Sequence, residues 1–388
     1  MLPVDPITGL LLTSSIGNVL VPPSPIVTPG SASLPAASTT LVINGFNFDP
    51  SPAGNVVALS SGTVRSISSA SATSLTIVFA TQPRPGRLLA SVTAFGLSSG
   101  AAVQVATVAN VAVTAALVAN DNGQTVTQCA IIGGSITSCA VPTGVTWNLN
   151  ASYGMTVANN VAYITSRGAN TVTQCALSGG SITSCAVPTG VTWNLNQPAG
   201  IAIANNVAYI TNGNGNTVTE CAISGGSIIS CVVPSVASWN LRRPYGIAVA
   251  NNVAYITNNL PNTVTQCTIS GGSITSCAVP TGVTWNLNNP YGIAVVNNVA
   301  YIVNYFGGSV TQCTIIGGSI TSCAVPTGFT WNLSAPYGNA VANNVAYVTN
   351  IDGSTVAQCA ISGGSITSCA VPTGVTWNLN RPLAIAVV

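Results

Sequence analysis

Along the whole chain, short runs of β-branched and small apolar residues alternate with single Ser, Thr, Asn or Gln positions, the period of half-buried strands. No run reaches the eighteen or so unbroken apolar residues of a membrane-spanning helix. In the second half the alternation itself repeats: one 46-residue unit is written six times, each with four strand-like runs. In the second copy strand a spans 155–158, an Asn159-Asn160 turn leads to strand b at 161–165, strand c spans 171–177 and strand d 182–187. A period in the forties with four strands per unit predicts the blades of a β-propeller, with an open solenoid as the competing arrangement. The first copy supplies only strands b, c and d, and residues 382–388 align with strand a, so the last residues are expected to complete the first blade and leave no open edge. The fold class predicted is all-β, a small sandwich followed by a six-bladed β-propeller closed by the C-terminal strand.

All twelve cysteines fall at two positions of the unit, ten residues apart: Cys129/Cys139, Cys175/Cys185, Cys221/Cys231, Cys267/Cys277, Cys313/Cys323 and Cys359/Cys369. If Gly179, Gly180 and Ser181 form a three-residue loop between strands c and d, Cys175 stands directly opposite Cys185, close enough for a disulfide within the blade. The rival pairing joins strand d of one blade to strand c of the next. Paired cysteines imply an oxidising compartment, so the expected location is extracellular or at the cell surface. The opening residues do not read as a secretion signal, because Pro3, Asp5 and Pro6 interrupt the apolar core such a signal requires.

Residues 1–22 read as an N-terminal extension or linker, 23–108 as a first domain and 109–388 as the repeat array. The first domain holds strand-like runs at 40–48, 55–59, 74–79, 89–95 and 102–108. Its run Leu41-Val42-Ile43-Asn44-Gly45-Phe46-Asn47-Phe48, with Asn55-Val56-Val57, Ser74-Leu75-Thr76-Ile77 and the late Gly96-Leu97-Ser98-Ser99-Gly100, resembles the IPT/TIG family of immunoglobulin-like domains. The resemblance implies a spacer or adhesion module. In the array, Asn289-Pro290-Tyr291-Gly292-Ile293-Ala294-Val295 running on to Asn298–Asn304 resembles the NHL repeat, and Ala254-Tyr255-Ile256-Thr257-Asn258 with Asn262-Thr263-Val264 resembles the YVTN repeat. That resemblance implies a propeller and no particular activity.

Charge narrows the function. Seven arginines and five acids in 388 residues, with no histidine or lysine, leave almost nothing that titrates near neutral pH, which argues against an enzyme. The lactonases among related propellers use metal sites built from acids or histidines, and here Asp5, Asp49, Asp121, Glu220 and Asp352 occur singly, so no cofactor or metal is expected. Only Asp121 and Asp352 occupy corresponding loops of blades that closure makes neighbours, and two carboxylates fall short of what calcium prefers. Scattered arginines do not make the cationic track that nucleic acid needs, and no membrane insertion is expected.

Differences between the copies gather in the b–c loops and just after the tryptophan in the d–a connections, which leave a four-stranded blade on the same rim. The candidate binding residues there are Asp121, Arg167, Arg242, Arg243, Tyr305, Phe306, Asp352 and Arg381, weighed against drift among recent duplications. Trp147, Trp193, Trp239, Trp285, Trp331 and Trp377 share one repeat position, as plugs between blades or, alternatively, as platforms for sugars. Sequons at Asn150 and Asn332, and Pro23, Pro25 and Pro52 as sites for hydroxyproline-linked or neighbouring O-linked glycans, are the glycosylation candidates. The expected function is a non-enzymatic structural glycoprotein that self-associates into a polymer such as a surface layer, sheath or fibre, since so few charges give little electrostatic repulsion between copies. The alternatives are a carbohydrate- or protein-binding module working through the variable rim, and a degenerate lactonase-like hydrolase.

Overall fold

The structure is a computed structural model that describes residues 15–16, 19–20, 22–34, 38–81, 83, 86–108, 114–236 and 238–388. Most of the N-terminal extension therefore lies outside the described residues. The chain divides into two compact units, 1–112 and 113–388. Among the described residues no helix is long and apolar enough to cross a membrane.

The first unit is a two-sheet sandwich. One sheet has the order Ile26–Val27, Thr40–Phe46, Ser74–Thr81, Thr63–Ser71; the other runs Leu97–Ser98, Gly86–Ala94, Val103–Val108, Ser33–Leu34, with Asn55–Leu59 also paired to Gly86–Ala94. Their facing side chains, among them Ile43, Leu75, Ile77, Leu88 and Val92, are fully buried in one core. The strand expected to run to 48 stops at Phe46, because Asn47 turns the chain at φ 60°. Phe48 is thereby buried against Gly45, where any Cβ would collide with its ring. The strand Thr63–Ser71 escaped the sequence pattern, since its Ser- and Ala-rich sequence shows no clean apolar alternation.

The second unit consists of six four-stranded antiparallel sheets, the blades of a propeller. Blade 2 is typical: strands a to d are Ser152–Ala158, Val161–Ser166, Thr171–Ser178 and Ser181–Ala186, in that order. Blade 1 takes Thr114–Asn120, Thr125–Ile132 and Ser135–Ala140 as b to d and the C-terminal strand Pro382–Val387 as a, pairing Ala116 with Val387 and Ala119 with Ala384. The a–b hairpins turn on Asn pairs in the left-handed region, such as Asn159 and Asn160 at φ 49° and 59°.

Six disulfides lie within the blades, Cys129–Cys139, Cys175–Cys185, Cys221–Cys231, Cys267–Cys277, Cys313–Cys323 and Cys359–Cys369, with Cα–Cα distances of 4.0 to 4.1 Å, and no cysteine is free. The turn that sets up this pairing corrects the expectation of a three-residue loop. Gly179 and Gly180, at φ 56° and 78°, form a two-residue turn, so Ser178 pairs with Ser181. A bulge between Ala176 and Leu177 in the ladder then leaves Thr183 unpaired and brings Cys175 back opposite Cys185. The same correction holds in the other five blades, where the shorter turn and its bulge place Cys139, Cys231, Cys277, Cys323 and Cys369 opposite Cys129, Cys221, Cys267, Cys313 and Cys359. The strand-d cysteines, whose expected bridges the structure shows, have a further contact. Cys139, Cys185, Cys231, Cys277, Cys323 and Cys369 are buried although strand d is the outer strand, and each also offers its carbonyl to an asparagine side chain of the blade before.

Neighbouring blades share apolar clusters; Leu117 and Val126 of blade 1, for example, pack with Met155, Ile164 and the Cys175–Cys185 bridge of blade 2. A polar latch accompanies each cluster. Tyr163 from strand b and Gln174 from strand c of blade 2 both donate to the carbonyl of Gly226 in the Gly-Gly turn of blade 3, at 2.7 and 2.8 Å. Gln174 Oε1 accepts the Ile228 amide in return. Tyr255 with Gln266, Tyr301 with Gln312 and Tyr347 with Gln358 repeat the arrangement on Gly318, Gly364 and Gly134. Blade 3 departs from it: Glu220 replaces the glutamine, accepts from Ser273 Oγ and the Ile274 amide, and leaves the Gly272 carbonyl to Tyr209 alone.

The ring and its latch can each be tested. Deleting 383–388 removes the buried Leu383, Ala384 and Ile385 and exposes the inner edge of blade 1, so thermal unfolding should lose its single cooperative transition; an unaltered melting curve refutes closure by this strand. Burial, and then the Glu220 carboxylate, push the Tyr209 phenol up to about 12. The folded phenol thus keeps its proton where the unfolded one, near 10, has lost it, and stability falls as pH rises through this window. Glu220→Gln removes the charge and restores the second donor to Gly272, so ultraviolet titration should show one phenol moving down, with about 1 kcal/mol of added stability at neutral pH. An unchanged phenolate titration contradicts the assignment.

Candidate functional site

The variable loops do emerge on one rim, and backbone bonds stitch them together. In every blade the residue opening the b–c loop donates its amide to the d–a connection: Asp121 to Arg381, Arg167 to Ala151, Gly213 to Gln197, Asn259 to Arg243, Tyr305 to Asn289 and Ile351 to Ala335. Beneath them lies a buried amide–hydroxyl network. Asn212 donates to Thr217 and Thr219, its Oδ1 accepts the Asn196 amide, and Thr219 donates to the Asn194 carbonyl. The backbone of the rim is therefore fixed by residues that do not reach its surface, which leaves the outward side chains free to differ.

Four of the five tyrosines gathered at the axial end of this rim come from strand a. Tyr291 lies 4.2 Å from Tyr337 and 4.4 Å from Tyr245 between ring centroids, Tyr153 meets Tyr337 edge-on at 6.0 Å, and Tyr305 from a b–c loop sits 5.3 Å from Tyr291. Blade 3 has Ala199 at this position, and Arg167 of blade 2 extends over the adjoining rings, its guanidinium 4.5 Å from the Tyr153 ring and 5.9 Å from that of Tyr245. Gln197 Oε1 accepts from Arg167 Nη2 at 2.6 Å and holds it there. Burial drives the Tyr337 phenol well above 10, so it remains a neutral hydroxyl. Phe306, 71% exposed, packs edge-on against Tyr305 and extends the aromatic surface outward. Below the rings is an axial cavity of about 80 Å³, walled by Gly154, Gly200, Gly246, Gly292 and Gly338 where strands a of successive blades approach closely. A Cβ on Gly200 would collide with the Tyr245 carbonyl oxygen, so side chains there would force the blades apart.

Beside the cluster, Arg242 and Arg243 are exposed and border a groove of about 300 Å³ with Asn214, Asn216 and Leu260. Arg381 is ion-paired with Asp121 at 2.9 Å, and Asp352 is exposed. Among the described residues no group of three His, Cys, Asp or Glu side chains gathers that could hold a metal ion. All four arginines of the propeller thus lie on this rim. The hairpins of the opposite rim turn on Asn-Asn and Gly-Gly pairs and carry no charge.

The tryptophans are partly buried in the clusters between blades, Trp147 against the Cys175–Cys185 bridge and Trp193 against Cys221–Cys231, which is the plug arrangement. The residue after each tryptophan points into the next blade. Asn332 Nδ2 donates to the Cys369 carbonyl at 2.9 Å, and Asn148, Asn194, Asn240, Asn286 and Asn378 donate likewise to Cys185, Cys231, Cys277, Cys323 and Cys139. Asn150 is exposed and free of that duty. Pro52 is exposed and Pro23 half-buried, but Pro25 is buried and offers no open face to a glycan, which corrects its place among the candidates. Sequence reasoning missed the converging tyrosines, although the recurring Tyr-Gly pair of strand a was visible.

No family model matches the chain, and no curated protein matches it. Solved structures do resemble it. A nidogen/laminin complex superposes with a TM-score of 0.54 over 71% of this chain and 98% of that one at 14% identity. A Bacteroides thetaiotaomicron protein of unknown function gives 0.49 over 96% and 94% at 12% identity, and a putative 6-phosphogluconolactonase from Bacteroides fragilis 0.47 over 88% and 100% at 12%. At 14% identity the likeness to the first of these is one of fold alone, the β-propeller.

Proposed function

We propose that this chain is an extracellular, non-enzymatic recognition protein whose propeller binds an anionic partner through its variable rim. The observation that supports this most is the segregation of charge: Arg167, Arg242, Arg243 and Arg381 all stand on the rim, with only Asp121 and Asp352 to offset them, and Phe306 is exposed in one of its loops. Arginine presents a planar fork of donors suited to carboxylates and sulfates, and aromatic faces add contact area at small entropic cost. Six disulfides suit the oxidising environment outside the cell. The N-terminal sandwich is read as an IPT/TIG-type spacer that carries the propeller.

A structural role within a self-associating, glycosylated surface layer is the second reading. It is favoured by blade 3, whose outer strand exposes Ile229, Val232 and Val233, where the other blades carry Thr at the first of these positions and Ala at the second.

The rim is tested by retention on an immobilised anionic polysaccharide against a neutral one. The intact protein should be held by the first alone, release as salt rises, and lose retention when Arg242 and Arg243 are both changed to Asn, the residue blade 5 carries at the corresponding sites. Retention that is equal on both supports, or unaffected by the double change, is the contrary result.

A further inference from the structure

The inner strands repeat a Tyr-Gly-Ile pattern, as in Tyr245-Gly246-Ile247 and Tyr291-Gly292-Ile293, and blade 6 breaks it with Tyr337-Gly338-Asn339. Asn339 stands where the other blades have Met155, Ile201, Ile247, Ile293 and Ile385. Its Nδ2 donates to the Tyr301 carbonyl at 2.9 Å, but its Oδ1 is buried without a partner. The Tyr337 hydroxyl, on a side chain with 9% exposure, is likewise buried and unpartnered, and these are the two such side-chain atoms among the described residues. Both residues line the axial cavity.

A second departure falls in the same sector. Thr165, Thr211, Thr257 and Thr349 each donate a hydroxyl to an inner-strand carbonyl of the following blade, at Ala199, Tyr245, Tyr291 and Leu383. Val303 takes that place in blade 5 and Ala119 in blade 1, so the Tyr337 and Tyr153 carbonyls receive no such bond, and of these two only Tyr337 stands beside a further unpartnered side chain. Polar groups left bare in a protein interior are costly unless something fills the gap, and the bare side-chain atoms here are one amide oxygen and one hydroxyl. An occupant must bring a donor for Asn339 Oδ1; a phosphate or sulfate oxygen could accept from the Tyr337 hydroxyl but would leave that amide oxygen unmet. The guanidinium of Arg167 lies over Tyr153 and Tyr245, two of the rings that line the cavity.

We propose that the axial chamber is a subsite for an acidic saccharide: one hydroxyl edge of the sugar bridges the Tyr337 hydroxyl and Asn339 Oδ1, its apolar face lies on the tyrosine cluster, and its carboxylate meets Arg167. The size agrees with an edge rather than a whole ring, since about 80 Å³ holds two or three water-sized groups at about 30 Å³ each. The proposal rests on the rim reading above and names the ligand class it serves.

The test uses the intact, disulfide-bonded chain with glucuronate and methyl glucoside as probes, read by calorimetry and by ligand-observed NMR. Glucuronate should bind about tenfold more tightly than methyl glucoside, the gain of one charge-assisted contact. Asn339→Ile, which restores the residue of blades 3, 4 and 5, and Tyr337→Phe should each weaken both sugars by about tenfold. Arg167→Gln should bring the ratio of glucuronate to methyl glucoside affinity down about tenfold, to near unity. Melting curves of each variant accompany the titrations. Wild-type protein that binds neither sugar at about 10 mM, or folded Asn339→Ile and Tyr337→Phe variants with unchanged affinity, overturns the proposal. Should either result come with retention on anionic polysaccharide that still depends on Arg242 and Arg243, the rim reading stands and the chamber holds water only.

Discussion

One carbonyl oxygen per blade carries much of the ring's organisation. Separate sheets arranged around an axis share no main-chain ladder, so their relative placement depends on side chains. Apolar clusters supply most of the attraction but little direction. Direction comes from the second glycine of each Gly-Gly turn, whose carbonyl is gripped by a tyrosine, a glutamine, or both from the blade before. For that grip to hold, the turn must stay in place at the outer edge of its sheet, where strand d has a neighbour on one side only. The disulfide binds strand d to strand c a few residues from the turn, and at a separation of ten residues it limits the unfolded chain by about 2.5 to 3 kcal/mol in the entropic picture. Its structural consequence reaches across to the neighbouring blade, through the glycine carbonyl the hairpin presents and through the carbonyl of the strand-d cysteine itself.

A ring latched in this manner separates two kinds of position. Residues that take part in the latch, the Asn-Asn and Gly-Gly turns and the Asn-Thr network under the rim repeat almost without change, because each has a partner in the neighbouring strand or blade. Side chains beyond the backbone stitches of the rim have no such partner and differ from blade to blade. A rigid frame with unconstrained outward positions is the physical condition for placing recognition chemistry at fixed distances.

How far the sequence discloses this depends on whether an interaction is local. The cysteine pairing is legible because it lies within one hairpin, although the turn is a residue shorter than it reads and a bulge at Thr183 restores the register. The second role of Cys139, Cys277 and Cys323 is not legible in the same way, since the asparagines that bond their carbonyls come from another blade. The closing strand is legible from the phase of the repeat. The tyrosine cluster is not, because Tyr153, Tyr245, Tyr291 and Tyr337 belong to four different blades and meet only when the ring closes on its axis. Pro25 shows the reverse error: a proline-rich stretch reads as open chain, while its burial is decided by contacts that composition does not record.

Repeats that have merely drifted should scatter their differences independently. Several differences around the axis are instead complementary. Ala199 leaves a space beside Tyr153 and Tyr245, and Arg167 of the preceding blade fills it, with Gln197 from the blade of Ala199 holding the guanidinium. Val303 deletes a hydroxyl in blade 5, and Asn339 adds an amide in the blade alongside, on the same cavity. Loss of a donor next to a gain of an unpartnered acceptor does not repair the packing; both side-chain polar atoms left buried without a partner among the described residues, the Tyr337 hydroxyl and Asn339 Oδ1, belong to blade 6. Both residues line the axial cavity, so an occupant able to donate and accept there would meet the one part of the inner wall where side-chain polar atoms lack partners.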